Sequence, residues 1–168
     1  FNGNKIITTG GGGILLTNND KNASLARHLS TTAKKPHKWD FYHDQVGWND
    51  RMPNINAAIG VSQIEKINDF LLKKQKLFNE YVKEFSSIKE VEILNSREGT
   101  ISNNWLITLR FISPNNEEAK KKSRELLFKA HKKGILLRPV WRLLHHLPMY
   151  KNSPKGNLKN AENQEYRL

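Results

Sequence analysis

The sequence predicts an α/β protein whose two parts are joined by a helix, and three patterns carry that expectation. From Pro53 to about Phe85, apolar residues including Ile55, Ile59, Ile64, Ile67, Phe70, Leu71, Phe78, Tyr81 and Phe85 recur at three- or four-residue steps, the period of one long amphipathic helix. Beyond it, Val91–Leu94, Trp105–Ile112 and Ile135–Val140 are rich in branched and aromatic residues and read as strands. A charged segment, Glu117–Lys133, lies between the second and third of these and is closed by Gly134, a helix and its stop signal. Two neighbouring strands followed by a helical crossover suit a small mixed sheet covered by helices. The expected division is a first part over 1–52, a connecting helix over 53–85, and a small α/β domain over 86–168.

The first part opens with Phe1-Asn2-Gly3-Asn4-Lys5-Ile6-Ile7-Thr8-Thr9 and then four glycines, Gly10–Gly13. Asn-Gly-Asn is turn chemistry, and Ile6–Thr9 has the branched side chains of a strand, which places Lys5 at a strand's mouth. The glycines read as a reversal into a second strand, Ile14–Thr17, so the lysine would stand beside a hairpin of low bulk. Three readings fit this pattern. Lys5 is a solvated lysine on a surface hairpin, or part of a glycine-rich phosphate cradle, or a Schiff-base lysine with open space for a flat cofactor. The Walker order argues against the cradle, because there the lysine follows the glycines. Spacing leaves the other two open.

In chain order, Asp20–Leu29 is expected as a short helix with Asp20 as its cap, and Ser30–Asp50, aromatic, basic and without period, as a long ordered loop. Gly47-Trp48-Asn49-Asp50-Arg51-Met52-Pro53 leads into Ala57-Ala58-Ile59-Gly60; Pro53 suits a first helical turn and Gly60 implies close packing. Near the end stands Arg138-Pro139-Val140-Trp141, followed by His145-His146-Leu147-Pro148-Met149-Tyr150, a turn over Ser153–Asn157 and a last helix from Asn160. The paired histidines are not expected to hold metal, since neighbours on a helix face different ways and no carboxylate is close in sequence.

Composition narrows the function classes. The 28 Lys and Arg against 16 Asp and Glu give a formal charge of +12, which favours polyanions. The basic residues are spread through Lys34-Lys35, Lys73-Lys74, Lys120–Lys122 and Lys132-Lys133, mostly on amphipathic stretches, without the aromatic interleaving of a nucleic-acid groove. Cysteine is absent, which excludes disulfides and thiolate metal sites. The longest purely apolar runs, such as Ile135–Leu137, are too short for a membrane span, and a cytoplasmic protein is expected.

The opening segment from Phe1 to Gly13 resembles the cofactor-lysine segment of the DegT/DnrJ/EryC1/StrS aminotransferases, which convert nucleotide-linked keto-sugars into amino-sugars. Glycine at position 11, where a glutamate is frequent, is similar to the branch acting on sugar precursors of bacillosamine or legionaminic acid type. Gly47–Gly60 resembles the family's Gly-Tyr-Asn-x-Arg-Met stretch and its following helix, with Trp48 in place of tyrosine. Arg138–Tyr150 resembles its Arg-Pro-x-Trp region with a following His-x-x-Pro-x-Tyr. The resemblance implies the end of the large domain of a fold-type I pyridoxal-phosphate transferase plus the small mixed α+β carboxy-terminal domain. The chain would then be the carboxy-terminal part of a longer enzyme, inactive alone. It further implies pyridoxal 5'-phosphate as cofactor, Lys5 as the catalytic, cofactor-bearing lysine, and Asn49 reaching the cofactor phosphate across a homodimer with shared active sites. Arg51, His146 and Tyr150 are implied as substrate-binding residues, with glutamate as amino donor and a nucleotide-linked keto-sugar as acceptor. A plain helix-capping loop is the alternative for Asn49, and core or surface packing for His146 and Tyr150. Two other functions remain: a non-enzymatic, basic polyanion-binding fragment, and a family member turned dehydratase or regulator, against which the retained lysine argues.

Overall fold

The structure, a computed structural model, describes residues 1–168 and divides into two units, Phe1–Leu72 and Lys73–Leu168. The first unit holds α1 (Asp20–Ser30), α2 (Asn54–Ile64) and the start of α3 (Ile67–Phe85). The second holds the rest of α3, β1 (Val91–Ile93), β2 (Leu109–Phe111), α4 (Asn116–Lys132), two 3₁₀ turns (Leu144–His146 and Pro148–Tyr150) and α5 (Lys159–Glu165). No helix is long and apolar enough to cross a membrane.

The expected opening hairpin does not form. Thr9 N–H donates to the Phe1 carbonyl at 3.2 Å and the terminal amine to the Gly12 carbonyl at 2.7 Å, so the first dozen residues close on themselves as a knot of turns. Those bonds use groups that a ladder would need, and Ile14, Leu15 and Leu16 are left unpaired and 66–82% exposed. The helix that follows is as expected, but its cap is Asn19 rather than Asp20: the Asn19 side chain accepts from Asn22 N–H at 3.0 Å.

The long loop after α1 is ordered by folding back antiparallel on itself, with bridges Thr31↔Asn49 and Lys34↔His43. Its corner is tight. Thr32 and Ala33 adopt φ of 65° and 51°, and a Cβ on Gly47 would come within 2.5 Å of Ala33 N, so only glycine lets the two strands of the loop approach.

The single helix expected from Pro53 to Phe85 is two helices. Pro53 is the residue before α2, and the break falls at Glu65 and Lys66, where the bonding tightens: Lys66 N–H reaches back three residues to the Gln63 carbonyl before Phe70 N–H resumes the four-residue step to Lys66. The boundary between the two units lies inside α3, past this break.

In the second unit β1 and β2 pair antiparallel, with Val91 opposite Phe111 and Ile93 opposite Leu109, and Glu92 forming an ion pair with Arg110 across the strands. α4 starts where expected because Asn115 caps Glu117 N–H at 2.9 Å, and it ends at Gly134, whose φ is +74°. The third expected strand, Ile135–Val140, is irregular. Ile135 N–H is taken by the Ala130 carbonyl, the Leu137 carbonyl is bonded by His131 Nε2 at 2.6 Å, and Pro139 has no N–H, so little is left for a ladder. The sheet is therefore two-stranded. The end of the chain docks on α4 instead: Arg167 donates to Asn116 Oδ1 at 3.0 Å, and Phe111 N–H of β2 donates to the Arg167 carbonyl at 2.9 Å. Phe78, Val91, Ala119 and Ala130 form the buried apolar residues of this unit.

Candidate active site

The Asn-Gly-Asn bend is a turn, closed by Lys5 N–H donating to the Asn2 carbonyl at 3.1 Å, and it leaves the Lys5 side chain exposed. Downstream the loop is clamped. Thr8 Oγ1 donates to the Phe1 carbonyl at 3.1 Å and accepts from Gly10 N–H at 2.9 Å, while buried Thr9 bonds Gly11 O through its hydroxyl. Gly10 and Gly12 take φ of +79° and +87°, which a side chain would resist. Gly3, Gly11 and Gly13 have open space where a Cβ would stand, so the loop adds no bulk at these positions.

The second motif holds the first in place. Asn56 of α2 donates to the Thr9 carbonyl, and a Cβ on Gly60, one turn further on, would lie 2.9 Å from Thr9 Cγ2. Met52 Cε lies 3.1 Å from where a Cβ of Gly12 would be. The close packing expected at Gly60 is thus against the lysine loop itself. Asn56 and Thr9 were not singled out from sequence; the Asn-x-x-x-Gly spacing of one helix turn was the available signal.

Asn49 and Arg51 are exposed, at the end of the folded-back loop and just before α2. The stretch is fixed by its backbone: Trp48 N–H to Leu29 O at 2.7 Å, Thr32 N–H to Trp48 O at 2.9 Å, Asp50 N–H to Ser30 O at 3.1 Å. The exposed residues Trp48, Asn49 and Asp50 therefore lie on a braced edge. Deeper in the loop, Asp44 accepts from Lys35 Nζ at 2.9 Å and lies 2.6 Å from His28 Nε2. The Lys35 hydrogen bond, then that of His28, lowers the Asp44 pKa from its usual value to about 2.

His146 and Tyr150 belong to the second unit and line different cavities. His146 faces one of about 390 Å³ with Lys120, Arg124, Arg142 and Glu165; Tyr150 faces one of about 480 Å³ with Leu143, Leu144 and Pro154. Counting back from Pro148, the His-x-x-Pro spacing lands on His145, not on His146. Contrary to expectation, the two histidines converge. They sit on a 3₁₀ turn with ring centroids 4.1 Å apart, and α5 brings Glu162 and Glu165 to them from a distance in sequence. Upstream, the Arg138 guanidinium lies 4.7 Å from the Trp141 ring and 5.9 Å from that of Trp105, which ties the Arg-Pro-x-Trp segment to the stretch before β2.

Residues 1–168 match the DegT/DnrJ/EryC1/StrS aminotransferase family. The chain belongs to that family. Among its relatives is the GDP-perosamine synthase of Escherichia coli O157:H7, 32% identical over 150 residues, which cover 89% of this chain and 39% of the relative. The fold is that of the aminotransferase TlmJ from Streptoalloteichus hindustanus, with a TM-score of 0.83 at 19% identity over 96% of this chain and 42% of that one. It is also that of Helicobacter pylori PseC, an aminotransferase of pseudoaminic acid biosynthesis, at 0.78 and 19% identity over 90% of this chain and 40% of that one. The chain spans about two fifths of the length of the curated relatives it matches, between 37% and 43%. These likenesses establish the fold class expected of it, part of a fold-type I transferase, and pyridoxal phosphate is the cofactor of the DegT/DnrJ/EryC1/StrS aminotransferases. The residues present fit that group: an exposed lysine on a loop held by hydrogen bonds and rich in glycine.

Proposed function

We propose that the enzyme to which this chain belongs moves an amino group, with glutamate as donor, to a keto carbon of a nucleotide-linked sugar. In this reading it is a cytoplasmic homodimer with shared active sites. The observation that carries the reading is Lys5: an exposed amine on a loop clamped by Thr8, Thr9 and Asn56 and flanked by glycines with open space beside them. Pyridoxal phosphate supplies an electron sink for the charge that develops on the donor's carbon. Lys5 would hold the cofactor between turnovers, and its Nζ would serve as the base that takes a proton from the donor's carbon and the acid that gives it back. Asn49 would donate its amide to the cofactor phosphate of the other subunit, from an edge braced by three backbone bonds. Arg51, His146 and Tyr150 bind the sugar nucleotide, a role supported for His146 by Lys120, Arg124 and Arg142 around its cavity, cations suited to a diphosphate. The relative named for a GDP-linked sugar supports a nucleotide substrate of this kind.

Reducing the intact holoenzyme with borohydride and mapping its peptides tests the assignment. The cofactor is expected on Lys5. Label on another lysine, or full turnover by Lys5→Ala without added amine, overturns it. The same cationic cavity favours the competing reading, a non-enzymatic polyanion binder, and salt separates the two. Charge-led binding falls steeply with ionic strength and ignores ligand identity, whereas a sugar-nucleotide site distinguishes related ligands at fixed salt.

A further inference from the structure

The paired histidines suggest a second chemistry in the carboxy-terminal unit, independent of Lys5 and Asn49. One nitrogen of His145, one of His146 and a carboxylate oxygen of Glu162 lie within 4.8 Å of one another. His145 is the rigid member: its side chain is 11% exposed, and its Nε2 is buried, lying 3.2 Å from Glu162 Oε1 in a geometry that makes no hydrogen bond. A buried ring nitrogen that faces a carboxylate outside hydrogen-bond geometry is suited to take a metal ion between the two. Glu165 adds a positioning contact, its Oε2 lying 3.2 Å from His146 Nδ1, the arrangement by which a carboxylate fixes the ring of a metal-binding histidine.

We infer that His145, His146 and Glu162 form a binding site for a divalent transition metal ion, with zinc as the ion best suited. Two imidazoles and one carboxylate favour zinc, nickel or copper over magnesium or calcium, which take oxygen ligands. Zinc bonds of about 2.0–2.2 Å hold tetrahedral ligands roughly 3.3–3.6 Å apart, so the present spacing needs about 1 Å of closure. The closure falls to Glu162 and His146, whose side chains are 49% and 41% exposed and have room to turn, while His145 stays in place. Three protein ligands leave a fourth position for water. The ion would tie the 3₁₀ turn Leu144–His146 to α5, two elements that approach here through side chains on a turn and on a seven-residue helix.

Calorimetric titration of the 168-residue chain with zinc chloride in a non-coordinating buffer tests this. One zinc per chain is expected, with a rise in unfolding temperature that EDTA reverses. His145→Ala and Glu162→Gln should each weaken binding by about tenfold or more. Circular dichroism of the metal-free variants checks that they fold, and Glu162→Gln keeps size and shape should His145→Ala fail. Cobalt in place of zinc should give the strong visible absorption of a four-coordinate site. The site does not exist if zinc fails to saturate at millimolar concentration, if both variants bind as the parent does, or if replacing His28, His37 and His43 instead removes the binding. None of these outcomes bears on borohydride labelling at Lys5, so the two readings fail separately.

Discussion

Asn49 shows how a residue can be placed by everything except its own side chain. Its neighbours Trp48 and Asp50 make the backbone bonds to Leu29, Thr32 and Ser30, so Asn49→Ala should leave the loop intact while removing one amide. Cofactor retention in the intact dimer should then weaken by about 1–3 kcal/mol, the scale of a hydrogen bond to a charged group. Mixed dimers of Asn49→Ala and Lys5→Ala subunits should recover about one good site in two, because both defects then fall in one shared site and leave the other whole. Unchanged retention by equilibrium dialysis would show that the amide has no such part. Asp44 offers a second measurement. Its folded pKa, about 2, is below its unfolded value, so its contribution to the loop is complete above about pH 4 and lost as pH falls through 2. Amide exchange at Lys35 and Asp44 should accelerate across that window, and Asp44→Asn should remove the pH dependence; a flat profile in the parent would count against the Lys35–Asp44–His28 cluster. Lys5 and Asn49 could be picked out from sequence because long motifs surround them. Asp44 could not, because its partners stand nine and sixteen positions away and nothing periodic links them.

Among the elements, helices were the most legible and strands the least, for a physical reason. α1 and α4 carry their caps and stops within their own sequence, at Asn19, Asn115 and Gly134, and make their bonds internally. Ile14–Thr17 and Ile135–Val140 have strand composition, but a strand exists only where a neighbour offers unpaired groups, and composition does not report that. The break at Lys66 was hidden because apolar spacing runs through it unchanged. The two glycines that fix the motif segments should answer substitution differently. At Gly47 an added methyl meets backbone at 2.5 Å and 2.6 Å, which has nowhere to go, whereas at Gly60 it meets one methyl of Thr9 at 2.9 Å. Gly47→Ala should cost about 3 kcal/mol, the upper end of overpacking, and Gly60→Ala about 1 kcal/mol, since helix propensity returns part of the strain. Urea denaturation gives both numbers, and the reverse order would show that the loop corner yields more easily than α2.

For the molecule as a whole, apolar burial is thin. Its buried apolar side chains are Ala33, Phe78, Val91, Ala119 and Ala130, and of these only Phe78 and Val91 bring the roughly 1.5–3 kcal/mol of a larger side chain. Leu15, Leu16, Ile55, Val61 and Leu136 are exposed. The chain by itself should therefore bind pyridoxal phosphate no better than a generic lysine-rich protein, because water reversibly hydrolyses a Schiff base on an exposed lysine and stable holding needs a dry, fixed pocket. Titration followed by absorbance is the check; tight one-to-one binding abolished by Lys5→Ala would mean that this chain builds a complete site. The contact between Thr9 and Gly60 also leaves a mark on how such sequences change over generations. Thr9→Ser removes the methyl that a Cβ at position 60 would strike but keeps the hydroxyl bonded to Gly11. Lineages that first lose that methyl are free to gain a side chain at 60, and those that try the steps in the other order pass through a loosened lysine loop. Positions 9 and 60 in descendants should accordingly vary together, with threonine at 9 and a bulky side chain at 60 the rarest combination.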